Sequence, residues 1–300
     1  MAQALAVMHA LCRAREDRRF RIETVRTRGD RDASTSIAAM GATGVFTREL
    51  ELALIEGRID LAVHSLKDVP TTLADGLCLA PAVPLREDPR DVVVTRDGRT
   101  MALLPAGARV GTGSLRRRAQ LRAVRQDLVF EDIRGNVGTR LRKVRDGRVD
   151  AVVLARAGLA RIGLLTEAME VLDVDRMLPA PGQGALGLEV READATVADL
   201  LKPLDHVPSR RAVAAERSLL AHLGGGCRTP VAALGRMTGP DELTLTGLVA
   251  SPDGRRLVRD ESAGAAAEAD DLGRRVAERL FDAGGREIMA EVHDGREDVR

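Results

Sequence analysis

The sequence predicts an α/β protein of two or three domains, and three observations lead to this fold class. Its 300 residues are enough for several buried cores. Between Asp91 and Leu154, short apolar runs alternate with helical patterns, an order typical of parallel strands joined by right-handed crossovers. The Pro/Gly-rich run 178–184 marks a crossing between domains, and a further unit begins near Pro208.

The individual elements follow from apolar periodicity, with caps and glycines marking their ends. Thr47, for example, is placed to cap a helix that stops at Gly57. We predict helices over 1–20, 47–57, 114–125, 139–145, 209–223 and 265–280. We predict strands over 21–27, 59–63, 91–94, 109–110, 128–130, 151–154, 244–249 and 257–258.

The composition excludes several classes of function. The formal net charge is +1, whereas nucleic-acid binders usually carry a basic excess, and with no Trp or Tyr and only four Phe we expect no base-stacking platform. No apolar run reaches the roughly 18 residues of a membrane span. Residues 1–11 lack a basic lead and a cleavage site, so we expect no signal peptide. We therefore expect neither nucleic-acid nor membrane partners.

The cysteines Cys12, Cys78 and Cys227 are too widely spaced for a disulfide framework or a zinc pattern, so we expect no metal and a reducing cytoplasm. Cys12 and Cys78 fit small buried hydrophobic positions. Cys227 differs, because the run Gly224–Pro230 places it on an open turn beside a cation, which favours thiolate chemistry. The alternative for Cys227 is an incidental loop cysteine.

Two Gly-rich junctions, Gly111–Arg117 and Arg134–Arg140, concentrate arginine where a predicted strand passes into a helix. Small residues let the backbone approach a ligand, helix-start N–H groups point toward it, and guanidinium forks stand beside it. Arginine alone means little here, because only three of the 46 basic residues are lysines and most arginines are solvated surface charge. Two such junctions together indicate a ligand with several carboxylates or phosphates.

A second polar cluster follows the predicted strand 59–63. The run His64–Pro70 places the hydroxyl of Ser65, the ammonium of Lys67 and the carboxylate of Asp68 at the carboxyl end of that strand. In open α/β sheets, ligands bind at this end. The alternative is a polar strand end with an internal Lys–Asp pair.

Together these runs resemble the porphobilinogen deaminase (hydroxymethylbilane synthase) family. The matching stretches follow the family's order: Arg28–Asp30, Ala62–Thr71, Arg86–Asp91, Gly111–Arg117, Arg134–Leu141, Ala157–Leu159, Leu178–Ala185 and Gly224–Pro230. The resemblance implies three domains, two of them like periplasmic binding proteins with mostly parallel sheets, and a small α/β C-terminal domain. The expected boundaries are 1–84 with 185–203, then 88–180, then 207–300.

The resemblance also implies the activity, that of a monomeric, cytoplasmic transferase of tetrapyrrole and heme biosynthesis. Such an enzyme condenses four porphobilinogen molecules into the linear tetrapyrrole hydroxymethylbilane and releases ammonia. Its primer is a dipyrromethane cofactor, assembled from two porphobilinogen units and held by a thioether at the cysteine that Cys227 matches. Each ring brings two carboxylates, which accounts for the arginines, since bidentate Arg–carboxylate pairs are strong and oriented.

By the same resemblance, Asp68 matches the catalytic carboxylate, which would stabilise developing positive charge and handle protons. The implied cofactor-binding residues are Cys227, Ser65, Lys67, Thr112, Ser114, Arg116, Arg117, Arg134, Arg140 and Gly158. The implied substrate-binding residues are Arg161 and Gln183.

One departure from the family pattern keeps alternatives open. Family members begin with a strand that ends in an Arg-x-Ser motif, and the chain starts inside the helix that follows, so we expect the first strand of domain 1 to be missing. The main alternative is therefore a truncated or degenerate pseudoenzyme that binds polycarboxylate pyrroles without turnover. A weaker alternative is a solute-binding protein of related fold, for which a reactive cysteine would serve no purpose.

Overall fold

The computed structural model describes residues 1–25, 47–226 and 229–297. The chain forms two compact units. The first unit comprises Met1–Glu87 with Gly184–Arg210, and the second comprises Asp88–Gln183 with Arg211–Arg300. The division into three domains stays a prediction.

The described residues contain nine α-helices and eleven strands. In chain order, α1 to α9 are Ala2–Ala14, Arg48–Ile55, Leu115–Val124, Val137–Arg145, Arg156–Arg161, Ala195–Leu201, Val207–His222, Ala269–Leu280 and Arg286–Glu297. The strands β1 to β11 are Ala62–Ser65, Leu77–Leu79, Asp91–Thr95, Arg109–Gly111, Val129–Glu131, Ala151–Ala155, Glu170–Val171, Leu186–Arg191, Val231–Met237, Glu242–Ala250 and Leu257–Ala265. No described helix is long and apolar enough to cross a membrane.

The first unit is built on an antiparallel sheet with the order β1-β8-β2. The central strand β8 is buried along nearly its whole length. Val7 and Leu11, one helical turn apart on α1, pack against Leu188 and Val190 of β8. Burial of each such side chain contributes about 1.5–3 kcal/mol, which holds α1 on the sheet.

The second unit contains a five-stranded sheet with the order β5-β4-β6-β3-β7. The strand β4 pairs in parallel with β5 and β6, and the helices α3 and α4 make the crossovers between them. Both faces of the sheet are covered, because Val93 and Val153 pack into one cluster while Val92 and Val152 pack into another. The alternation of strands and helices thus gives the predicted layered arrangement here.

The remaining sheet of the second unit is the antiparallel meander β9-β10-β11. The helices α7, α8 and α9 cover one face in the largest core cluster of the described residues. On the other face, Leu234 and Leu248 pack with Ala119 of α3 and Leu178. The helix α3 is therefore buried between two sheets of the same unit.

The α/β class is confirmed, but the expectation of mostly parallel sheets is wrong for the described residues. Both pairings in the first unit are antiparallel, and β3 runs antiparallel to its neighbours β6 and β7. Only strands joined by a helical crossover are obliged to run in parallel. The strands β3 and β8 are entered from irregular segments, so the strand–helix alternation did not fix their direction.

Most predicted elements are confirmed within a few residues, and the exceptions are informative. The predicted strand 21–27 is not a strand over residues 21–25, and residues 26 and 27 lie outside the described part. The strands β2, β7, β8 and β9 and the helices α5, α6 and α9 were not predicted. The burial of β8 and β9 on both faces removed the alternating pattern that identifies a half-exposed strand.

Gly273 tests the packing of α8 on α7. A Cβ at this position would lie 2.4 Å from the carbonyl oxygen of Ala215 and 2.8 Å from the backbone nitrogen of Leu219. In an open helix, Gly→Ala stabilises by about 1 kcal/mol. We expect Gly273→Ala instead to lower the free energy of unfolding by about 1–3 kcal/mol, because backbone atoms cannot move aside.

The measurement is urea unfolding, with Gly239→Ala as the control. Its Cβ would meet nothing closer than 3.6 Å, so no loss is expected. If Gly273→Ala raised stability, the close contact between α7 and α8 would be wrong.

Candidate functional site

Three strand–helix junctions of the second unit lie side by side along one sheet edge, which we call the anion edge. They follow β4, β5 and β6 and comprise residues 111–117, 131–140 and 155–161. Because β4 is parallel to both neighbours, the carboxyl ends of all three strands meet at this edge. Adjacent junctions are close, since a Cβ on Gly113 would lie 2.7 Å from Oδ1 of Asp132. The two arginine-rich runs of the sequence are therefore brought together.

The first junction is a tightly hydrogen-bonded turn. The backbone nitrogen of Thr112 donates to the carbonyl of Glu131 at 2.9 Å, and that of Ser114 donates to the Thr112 hydroxyl at 3.2 Å. The Ser114 hydroxyl accepts from the backbone nitrogen of Arg117 and caps α3. Thr112 is buried and Ser114 is half-buried, so both predicted hydroxyls lie within the turn itself.

The second and third junctions hold the other predicted binding residues of this unit. Arg134 lies 3.5 Å from Asp132, and Nε of Arg140 donates to the carbonyl of Gly135 at 2.8 Å. Both arginines are half-buried. Gly158 and Arg161 lie on α5, also half-buried. The anion edge thus carries partly exposed guanidiniums next to two helix starts.

Arg116 and Arg117 form the buried part of this site, where they share one carboxylate. Nη2 of Arg116 is 2.9 Å from Oδ2 of Asp91, and Nη2 of Arg117 is 2.7 Å from Oδ1. The arginines are 4% and 5% exposed and Asp91 is fully buried. We call these three residues the arginine cluster. It places two positive charges against one negative charge in the interior.

Each buried guanidinium is also bonded to the backbone. Nη1 of Arg116 donates to the carbonyl of Leu178 at 2.8 Å, and Nη1 of Arg117 donates to that of Val153 at 2.9 Å. Burial lowers the pKa of Arg116, Asp91 opposes that shift, and the charge of Arg117 adds to it. Within the described residues, the Nε atoms of both arginines are buried without a hydrogen-bond partner. A buried donor without a partner costs free energy, so these contacts do not fully satisfy the two guanidiniums.

Gln183, predicted to bind substrate, is fully buried against the arginine cluster. Its Nε2 lies 2.6 Å from the carbonyl of Pro89 and 2.8 Å from Oδ1 of Asp91. Asp91 and its contact to Gln183 were missed from the sequence. The available signal was a carboxylate opening the apolar run Val92–Val94, a position where a buried charge needs a partner.

In the first unit, Ser65, Lys67 and Asp68 lie on one turn at the end of β1. Residues Leu66–Asp68 form a 3₁₀ turn in which Leu66 is buried, Lys67 is half-buried and Asp68 is exposed. The backbone nitrogen of Leu66 donates to the carbonyl of Ala185 at 3.0 Å, which ties the turn to the start of β8. The predicted catalytic carboxylate therefore faces outward from an anchored turn.

Two further side chains support this turn and were missed from the sequence. Nε2 of His64 lies 2.8 Å from Oε2 of the fully buried Glu189, which joins β1 to β8. Nε2 of Gln3 on α1 donates to the Ser65 hydroxyl at 2.6 Å. Both contacts join residues far apart in the sequence, so no local sequence pattern predicts them.

Cys227, the predicted attachment residue, lies outside the described residues, as do Arg28–Asp30 of the family pattern. Gly226 and Thr229, the described residues on either side of positions 227 and 228, are joined by hydrogen bonds. The backbone nitrogen of Thr229 donates to the carbonyl of Gly226 at 3.0 Å, and the Thr229 hydroxyl donates to the same oxygen at 2.7 Å.

Comparison with known proteins gives matches over almost the whole chain. Residues 1–199 match the family described as porphobilinogen deaminase, dipyromethane cofactor binding domain, and residues 211–282 match its C-terminal domain. The porphobilinogen deaminase of Roseiflexus castenholzii is 48% identical over 97% of this chain and 95% of its own length. That of Desulforudis audaxviator is 49% identical over 98% and 95%. Among solved structures, an ancestral cationic amino acid solute binding protein is similar over 67% of this chain and 76% of its own, with 15% identity and a TM-score of 0.41.

The charge imbalance of the arginine cluster predicts which substitution lowers the free energy of unfolding more. Asp91→Asn would leave two buried guanidiniums uncompensated, so we expect it to cost about 3–5 kcal/mol of unfolding free energy. Arg117→Gln should cost less, because Arg116 and Asp91 would remain as a balanced pair. Urea unfolding without ligand measures both.

Arg274→Gln is the control, since Arg274 makes only exposed contacts with Asp271 and Glu278, and its unfolding midpoint should not move. A loss for Arg117→Gln equal to that for Asp91→Asn would contradict the excess positive charge.

Proposed function

The chain belongs to the porphobilinogen deaminase family, and we propose that it condenses four porphobilinogen molecules into hydroxymethylbilane with release of ammonia. The observation that carries the proposal is the match to both family domains. Over nearly its full length the chain is also 48% and 49% identical to two porphobilinogen deaminases. The arginine cluster supports it, because buried excess positive charge suits a ligand that adds carboxylates at each step. No observation on the described residues favours a pseudoenzyme.

The described residues fit the dipyrromethane cofactor of this family. The guanidiniums of Arg116 and Arg117 share a single carboxylate, so their excess positive charge favours an anion, and a dipyrromethane carries four carboxylates. Arg134, Arg140, Thr112 and Ser114 line the same anion edge and would hold the remaining groups. When bound, the cofactor supplies the free pyrrole α-carbon from which the chain grows.

Asp68 would act on the incoming ring. Its carboxylate is exposed, and the turn that carries it is fixed by the Leu66–Ala185 hydrogen bond. A fixed negative charge can stabilise the cation that forms when ammonia leaves, and the same oxygens can accept the proton that the ring loses. Ser65 and Lys67, on the same turn, would orient substrate or cofactor carboxylates. Arg161 would bind a further substrate carboxylate.

We further infer a monomer that works in the cytoplasm on a free small molecule, without nucleic-acid or membrane partners. The balanced charge and the absence of Trp and Tyr support a small-molecule substrate. Three widely spaced cysteines support a reducing compartment, where a nucleophilic Cys227 would remain available to form the thioether.

The attachment residue can be tested by mass. Protein purified from cells that make porphobilinogen should carry the added mass of two condensed pyrrole units, because Cys227 would form a thioether to them. Cys227→Ala should lack that mass. The control is Cys12→Ala: the buried position predicted for Cys12 is wrong, since its thiol is free and exposed, and the variant should retain the added mass. An unmodified wild-type mass would overturn the assignment.

Asp68→Asn tests the catalytic carboxylate. The amide keeps the size of the side chain but removes its charge, so we expect kcat to fall by about 10²-fold or more in cofactor-loaded protein. The control is Asp75→Asn, an exposed aspartate in the same unit, which should turn over at the wild-type rate. A near-normal rate for loaded, folded Asp68→Asn would move the catalytic role elsewhere.

A further inference from the structure

The amide of Gln183 makes its hydrogen bonds inside the protein. Its Nε2 faces the carbonyl of Pro89 at 2.6 Å and Oδ1 of Asp91 at 2.8 Å. Both partners are acceptors, so the amide must present its nitrogen, and not its oxygen, to them. The two hydrogens of this NH₂ group are thereby used, which leaves no side-chain donor for a substrate.

The backbone around Gln183 fixes this orientation. Gly182 and Gly184 on either side have φ values of +73° and +86°, which L side chains rarely adopt. The backbone nitrogen of Gly182 donates to the buried carboxylate of Glu216 at 2.7 Å, and that of Gln183 donates to the carbonyl of Ala180 at 2.9 Å. Gln183 is thus held by its backbone as well as by its side chain.

The orientation of Asp91 depends on this amide. Oδ1 of Asp91 accepts from both Gln183 and Arg117, and Oδ2 faces Arg116. A carboxylate that shares one oxygen between two donors cannot rotate without breaking one of these bonds. A rotation of Asp91 would break its contact to Arg116 or to Arg117, and that guanidinium would then be oriented mainly by its bond to the carbonyl of Leu178 or Val153.

We propose that Gln183 is a positioning residue: it locks Asp91, and through Asp91 the guanidiniums of Arg116 and Arg117, in the geometry that receives the carboxylates of the dipyrromethane. This rests on the proposed function and replaces the expectation that Gln183 touches the substrate. The cofactor, not the incoming porphobilinogen, is the molecule whose binding depends on Gln183.

The test follows cofactor assembly by mass. Unloaded protein from cells that make no porphobilinogen is mixed with porphobilinogen, and intact mass is recorded over time. Gln183→Met keeps the length of the side chain but removes the donors. Loss of an outer-shell hydrogen bond to a metal ligand costs about 10- to 100-fold, and we expect the rate of loading to fall by the same order. If the Met variant does not fold, Gln183→Asn replaces it in the same assay, because its shorter amide cannot reach both the carbonyl of Pro89 and Oδ1 of Asp91.

The control is Thr246→Val, which removes the hydrogen bond of an equally buried side chain to Glu261 in the meander sheet. It should lose stability but load at the wild-type rate, which separates positioning from a general loss of stability. In loaded Gln183→Met, the KM for porphobilinogen should be unchanged.

A double-mutant cycle completes the test. Lysine cannot reproduce the guanidinium fork, so in an Arg117→Lys background the Gln183→Met change should slow loading much less than it does alone. Wild-type loading by Gln183→Met, equal effects in both backgrounds, or a raised KM with normal loading would each overturn the positioning role. Failure of the wild type to load or turn over would instead overturn the proposed function.

Discussion

The second unit depends on the sharing of one buried carboxylate by two arginines. Asp91 opens β3, while Arg116 and Arg117 lie on the first turn of α3, so the ion cluster joins a strand to a helix that is distant in sequence. Burying these charges is unfavourable unless each is paired. Any arrangement of β3 and α3 that separates them would bury unpaired charge, so the cluster selects one packing of helix on sheet.

A second set of contacts fixes the same helix on its other side. The amide of Gln120 bonds both the N–H and the C=O of Leu178, and Gly254 packs against the carbonyl of Ala119 with no room for a side chain. The middle of α3 is therefore fixed against Leu178 and Gly254. Fixing this helix supports its capping serine and its arginines, and a site that discriminates between ligands by geometry needs such support.

The sequence predicted those parts of the structure that have a local cause. The run Gly111–Arg117 predicted a strand–helix junction, because small residues, a capping hydroxyl and arginines are adjacent in the chain. The order of strands and helices predicted that the junctions lie at one edge of the sheet. The partners of these residues could not be predicted. Asp91, Gln183, His64 and Glu189 act through contacts between residues 26 to 125 positions apart, and no periodicity encodes such pairs. The directions of the strands β3 and β8 could not be predicted for the same reason, since long-range pairing alone determines where these strands lie.

The unequal charge of the arginine cluster links the stability of the second unit to the ligand binding that we propose. A cluster with matched charges would be more stable without ligand but would offer nothing to an incoming anion. With two guanidiniums against one carboxylate, the cluster keeps an electrostatic cost that a bound anion would relieve. Because a ligand that binds only the folded state stabilises it, the relief of this cost adds to the stability of the loaded protein. Gln183 is neutral and donates only hydrogen bonds, so it can lock Asp91 without cancelling the charge that the ligand requires.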